Sequence, residues 1–220
     1  MTHHHLTYRT TPSGKLRFLL LALCALIFSQ MALANTSAKA VFIKNQVLLE
    51  RSQQKPVSIK RGDDLLVGDL IRTGQDARAI FRFSDGSVLT MGANSEMRVS
   101  EFVSNEEKKK GQFDFVKGAF RMVTGAITKT ESPDFTVNTP IGSIGVRGTD
   151  FWGGNLSTDD SVDVVLLESE HVLEIKNQYG SVLLKEPFQG TTLQAGKAPL
   201  SARTWPDEKL QRAFKTVATE

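Results

Sequence analysis

The chain has 220 residues, 40% of them hydrophobic and 23% charged, with a formal net charge of +3. Three of its 27 basic side chains and none of its 24 acidic ones lie in residues 1–34, so the remainder is neutral and lacks a nucleic-acid footprint. The one cysteine, Cys24, excludes an intrachain disulfide and a cysteine-based zinc site.

Residues 1–34 read as an export signal. Lys15 and Arg17 form a positive n-region, and residues 18–28 (FLLLALCALIF) are an unbroken apolar core. Ala32-Leu33-Ala34 places small residues where signal peptidase needs them, so the expected mature chain begins at Asn35. The apolar core is 11 residues, short of the about 20 that span a bilayer. If the leader is retained, the run through Met31 and Leu33 becomes an anchor and supplies the chain's membrane contact. Cys24 follows Leu23, not a small residue, so lipidation is not expected there. The expected location is periplasmic.

Thirteen of the 17 glycines lie between Gly62 and Gly154, where they punctuate short apolar-polar alternations. A strand is predicted at residues 41–49, another at 70–73. In Ala79, Phe81 and Phe83 the alternation is that of a half-buried strand with its aromatic face inward. Asp85-Gly86 then predicts a hairpin with a type I′ turn leading into Val88-Leu89-Thr90-Met91. Further strands are predicted at 97–103, 113–116, 119–123, 134–138, 162–167, 172–176, 182–184 and 191–194. Their spacing suits an all-β fold, whether sandwich, roll or barrel.

Glu106-Glu107-Lys108-Lys109-Lys110-Gly111 reads as a solvated break between strands, with an electrostatic docking site as the alternative. Residues 157–161 read as an exposed loop; their paired aspartates lack the ligand spacing of a calcium loop. Gly68–Gly74, Gly118–Gly125 and Gly190–Gly196 each hold a short strand between glycines, which reads as repeated turn chemistry. A C-terminal helix is predicted within 205–220. Pro206 sits at its start, Asp207 and Glu208 complement its positive end, and Leu210, Phe214 and Val217 share one face. That face is expected to pack on the β-domain; the alternative is a partner-binding arm.

The residues offer no catalytic set. His171 is the one histidine after the leader, so neither a Ser-His-Asp device nor a histidine-rich zinc site has its parts. Gly142-x-x-Gly145-x-x-Gly148 matches no phosphate-loop pattern, and its glycines read as kinks or close packing. No cofactor, metal or catalytic residue is expected.

The run Gly68-Asp69-x-Ile71-x-Thr73-Gly74 is followed by Ala79-x-Phe81-x-Phe83-x-Asp85-Gly86-Ser87-x-Leu89-x-Met91-Gly92 and then Glu101-Phe102. Lys117-Gly118 comes next, and the series closes on Phe135-x-Val137-x-Thr139-Pro140-Ile141-Gly142 and Val146-Arg147-Gly148-Thr149-Asp150-Phe151. This ordered set resembles the periplasmic FecR domain, over about half of the residues after the leader. The resemblance implies an all-β sensing module that receives its signal through protein contacts. It divides the chain into a signal peptide (1–34), a FecR-like β-domain (35–155), further strands of the same or an appended domain (156–204) and a terminal helix (205–220). The best-known members carry a cytoplasmic anti-sigma segment before their membrane helix. Only 17 residues precede the apolar core here, so direct sigma-factor contact is not expected.

Arg147, Gly148, Thr149, Phe151 and Trp152 stand out as an interaction or structural cluster. The favoured arrangement is a buried corner in which Arg147 satisfies carbonyls beneath Trp152. The alternative is an interface anchor, a role for which Arg and Trp are over-represented. The expected function is non-enzymatic binding of an envelope protein, with an envelope hydrolase or glycan-binding protein as the alternative.

Overall fold

The computed structural model describes residues 36–52, 54–156, 160–169 and 171–219. The expected export segment and Asn35 lie outside the described residues, as do 157–159 of the predicted exposed loop. The chain opens with β1 (Thr36–Lys44), β2 (Val47–Glu50), β3 (Val57–Ser58) and β4 (Asp64–Leu66). It continues through β5 (Leu70–Thr73), β6 (Arg78–Phe83), β7 (Val88–Met91), β8 (Glu96–Ser104) and β9 (Lys109–Lys117). Next come β10 (Ala119–Val123), a 3-10 turn (Ala126–Thr128), β11 (Asp134–Thr139), β12 (Gly142–Val146) and β13 (Thr149–Gly154). Last are β14 (Ser161–Ser169), β15 (Leu173–Asn177), β16 (Gly180–Leu184), β17 (Gln189–Gln194), β18 (Arg203–Thr204) and the helix α1 (Asp207–Val217).

The strands form two open nine-stranded sheets, not a closed barrel. One has the order β18-β17-β14-β13-β10-β7-β6-β1-β4, the other β16-β15-β12-β11-β9-β8-β5-β2-β3. Both orders nearly follow the sequence, because the chain passes between the sheets a strand or hairpin at a time and advances along the sandwich. Strands β14 to β18 continue the same two sheets. Every pairing is antiparallel except β9 with β11. Parallel neighbours need a long connection, and here the chain crosses to the other sheet as β10 before it returns.

Period-two alternation fills the space between the sheets. Phe81, Leu89, Met91, Phe120, Met122 and Phe151 face Ile71, Met97, Val99, Phe113, Phe135 and Ile144 in one core. Its aromatic rings touch in series: Phe83 to Phe113 at 5.3 Å, Phe113 to Phe135 at 5.3 Å, and Phe115 to Phe120 at 5.1 Å between centroids. Such pairs add roughly 0.5–1.5 kcal/mol beyond area burial.

Strand β14 is apolar on both faces, as a strand covered on both sides must be. Val162, Val164 and Leu166 enter the inter-sheet core, while Val165 and Leu167 join Trp152, Trp205, Leu210, Ala213 and Val217 in a second cluster. That second cluster is the underside of α1, which roofs the outer face of the first sheet. The outer face of the other sheet is polar. Cross-strand pairs Arg72–Glu50 (2.6 Å), Lys117–Glu96 (3.2 Å) and Lys110–Glu101 (2.9 Å) line it.

Three local expectations are corrected. The single strand at 41–49 is two strands, split where Asn45 takes a φ of +59°. The charged break is shorter than the sequence suggested. Asn105 accepts the Glu107 and Lys108 backbone N–H groups in a tight turn, and Lys109 already begins β9. The Asp85-Gly86 hairpin is not type I′, because only Gly86 has a positive φ there (+88°). Its N–H bonds the Phe83 carbonyl at 3.0 Å while Phe83 N–H bonds the Ser87 carbonyl at 2.9 Å, a three-residue loop with a glycine bulge. The Asp85 carboxylate enforces this shape by accepting both the Ser87 N–H and its hydroxyl at 2.8 Å.

Gly92 ends β7 directly against the helix, where an added Cβ would lie 2.5 Å from the Thr216 carbonyl oxygen. Gly92→Ala is therefore expected to cost about 1–3 kcal/mol by displacing backbone. Gly86→Val, in open space, is expected to cost on the order of 1 kcal/mol from its left-handed φ alone. Chemical denaturation checks both. An unchanged midpoint for Gly92→Ala would mean that the helix end does not rest on β7.

Candidate functional site

The turn between β12 and β13 brings the sequence-selected residues to one end of the roofed sheet, but the five point in different directions. Arg147 is exposed and has no hydrogen-bond or ion-pair partner among the described residues. Gly148 turns the chain at a φ of +102°, with the His171 ring 3.2 Å from where a Cβ would stand. Phe151 is buried between the sheets and meets Phe120 edge-on at 5.8 Å. Trp152, next in sequence, is fully buried on the opposite face beneath α1. The expected corner, with Arg147 beneath Trp152, does not form: successive strand residues face opposite sides, and the turn sends Arg147 to solvent.

Trp152 bonds the helix instead. Its indole Nε1 donates to the Thr216 hydroxyl at 2.9 Å, and its ring meets Trp205 edge-on at 6.1 Å. Three further contacts fasten α1. Lys209 Nζ reaches Asp163 at 2.7 Å while lying 4.0 Å above the Trp205 ring. Arg78 donates to the Ala218 carbonyl at 2.9 Å, and Arg212 to the Leu156 carbonyl at 2.7 Å. Asp163 is 2% exposed and also accepts the Thr192 hydroxyl. Sequence reasoning passed over it, although a lone acid inside Ser-Val-Asp-Val-Val-Leu-Leu is the signal of a buried charge with a partner.

At the Gly148–Asp150 turn lies a cleft of about 210 Å³ lined by Thr124, Thr128, Lys129, Gly148, Asp150 and Glu168, among others. Most of its polar groups already serve the fold. The Thr124 hydroxyl donates to the Thr149 carbonyl (3.1 Å) and accepts the Thr149 N–H (2.9 Å). Thr128 donates to the Gly125 carbonyl at 3.0 Å. Asp150 takes a two-pronged contact from Arg121, at 2.9 and 2.5 Å. Those hydrogen bonds with Asp150 hold the Arg121 guanidinium above even its usual high pKa, against some desolvation. The Thr149 hydroxyl is buried with no partner among the described residues. None of these hydroxyls is paired with a base in the manner of an activated nucleophile. Among the described residues, no three His, Cys, Asp or Glu side chains group as metal ligands would.

The other sequence-selected motifs are strand joints of the same kind. Asp69 is 2% exposed and accepts Arg51 Nε and the Leu66 N–H, both at 2.9 Å. The Thr73 hydroxyl donates to the Gly92 carbonyl at 2.6 Å and accepts the Ser95 N–H at 2.8 Å. Asp85 and Ser87 clasp the 3-10 turn: Ile127 N–H reaches the Asp85 carboxylate at 3.1 Å, and Gly125 N–H reaches the Ser87 hydroxyl at 2.8 Å.

The family model described as FecR protein matches residues 69–170. The chain contains a FecR domain. The matched span starts at the buried Asp69 and ends just after β14, so it includes the clasped hairpin and the Arg147–Trp152 turn. Two crystal structures described as a "putative anti-sigma factor" from Parabacteroides distasonis share the fold at a TM-score of 0.51. Their identities are 16% and 14%, over 64% of this chain and 62% of that one. No curated protein matches the chain.

The FecR-domain turn should divide sharply on mutation. Trp152→Ala is expected to cost about 3–5 kcal/mol, as a large buried ring removed from a packed cluster. Arg147→Ala should stay within about 0.5 kcal/mol, as an exposed side chain without partners. Thr149→Val should be neutral or stabilising, because it removes a buried, unpaired hydroxyl. Denaturant melts of the three variants decide; a large loss for Arg147→Ala would restore the buried-corner arrangement.

Proposed function

We propose that this protein is an exported, non-enzymatic signal-sensing module that acts by contact with another protein of the cell envelope. The observation that carries this reading is the use made of the FecR motif. Asp69, Thr73, Asp85, Ser87 and Gly92 hold strands, turns and helix together. With these five motif residues occupied inside the fold, its surfaces are what remain for signalling. The FecR family match and the likeness to the anti-sigma factor structures support a regulatory role of this kind. The apolar leader supports a periplasmic setting, with a mature chain from Asn35. On this proposal the partner is an envelope protein, and sigma-factor control, if it occurs, passes through that partner.

Purified protein bound to a support and offered to envelope extract is expected to retain a discrete protein. The same protein mixed with isolated cell wall should stay in the supernatant and release no wall fragments. Intact mass from envelope fractions should correspond to a chain starting at Asn35. Sedimentation with the wall or release of fragments would favour the glycan-binding or hydrolase alternative. A mass that retains residues 1–34 would replace the exported soluble form by an anchored one.

A further inference from the structure

An open sandwich has four edge strands, and exposed edges template pairing with other chains unless they are blunted. Three of the four are blunted here. In the roofed sheet, β4 is three residues long and carries the Lys39–Asp64 ion pair (2.6 Å), while β18 is two residues long with Pro206 close behind. In the other sheet, β3 is two residues long and follows Pro56. The fourth edge, β16, differs. It runs for five residues as Gly-Ser-Val-Leu-Leu, with no charge and no proline, and Gly180, Ser181 and Leu183 are exposed. Leu183 is 41% exposed, and the adjoining Tyr179 is 53% exposed.

We infer that β16 is a self-association edge, on which a second copy of this chain adds antiparallel to form a two-fold dimer. The register of the β15–β16 hairpin carries the argument. Asn177 pairs with Gly180 across a two-residue loop, and Ile175 pairs with Val182. Alternation of the ladder then turns the backbone groups of Gly180, Val182 and Leu184 towards β15, and those of Ser181 and Leu183 towards the open side. A two-fold axis at Val182 sets Ser181 of each copy opposite Leu183 of the other. Each of these pairs exchanges both N–H···O bonds, so the open backbone groups are satisfied by an identical strand.

The added ladder spans the five residues of β16 and stops there, because Gln178 and Tyr179 form the hairpin loop and the Lys185 N–H already bonds the Gln189 side chain at 2.9 Å. Within those five residues every position meets an uncharged one. No like charges face one another, which distinguishes this edge from one guarded against its own copy. Leu183 of each copy then covers apolar surface that is exposed in the single chain. Val182 points inward, partly buried against the core, and is undisturbed by the added strand.

Sedimentation equilibrium of the purified protein, from low micromolar to several hundred micromolar, tests the inference. The expected result is a rise from one chain mass to two. Leu183→Lys should return the mass to a single chain with an unchanged unfolding midpoint, because the side chain is exposed. A second arm keeps the register testable whatever Leu183→Lys does to folding. In a Cys24→Ser background, Val182→Cys should form a disulfide-linked dimer. The axis makes Val182 a non-hydrogen-bonded pair with Cα atoms about 4.5 Å apart. Ser181→Cys, displaced from its own copy by two residues, should not crosslink. A wild-type protein that stays at one chain mass throughout, or Val182→Cys that yields no linked dimer, overturns the inference. A dimer insensitive to an otherwise folded Leu183→Lys would also place the interface elsewhere.

Discussion

The burial of Trp152 is the constraint on which the rest of this structure depends. A strand in the middle of a sandwich needs one apolar face, yet β13 places Phe151 between the sheets and Trp152 on the far side. Leaving that ring, with Val165 and Leu167 beside it, against water would forfeit roughly 1.5–3 kcal/mol for each large side chain. Helix α1 removes the exposure. Its position is fixed by polar contacts at both ends: Lys209 reaches Asp163 near the start, and Thr216 meets the Trp152 indole near the finish. Gly92 completes the fit by letting the helix backbone approach β7 more closely than any side chain permits.

That roof divides the molecule's surfaces. One sheet is closed on its outer face by α1, while the other presents a polar face with its charges paired across strands. Exposed ion pairs of that kind contribute little to stability, so they serve chiefly to keep the face solvated. In the cleft beside Thr149, the Thr124 and Thr128 hydroxyls and the Asp150 carboxylate are committed to contacts within the fold. Faces and edges are what this FecR domain leaves open, which is where the proposed contact with another protein would form.

Much of the fold was legible in the sequence because period-two alternation survives wherever one face of a strand is wet. Ala79, Phe81 and Phe83 were readable for this reason, as were Leu210 and Val217 on the helix. Legibility failed where local hydrogen bonding outranked dipeptide preference. Asp-Gly suggested a type I′ turn, but the Asp85 carboxylate captured Ser87 and left Gly86 as a bulge. It failed again at Arg147, which is exposed although Val146 and Thr149 close beside it are buried. Residues 147 to 152 look like one cluster in a string of letters, whereas the pleat separates Phe151 from Trp152 by the thickness of the sheet. The Asp163–Lys209 pair spans 46 positions, and only the fold brings it together.

The central claim is that the helix roof and the sandwich are one cooperative unit. The two tryptophans, Trp152 and Trp205, both lie in the roof cluster, so tryptophan fluorescence reports on the roof while far-ultraviolet circular dichroism is dominated by the sheets. Thermal unfolding followed by both signals on one sample tests the claim most directly. Coincident transitions are predicted, as for a two-state domain. A fluorescence transition at clearly lower temperature, with the sheet signal intact, would show that α1 is a detachable arm and contradict the account.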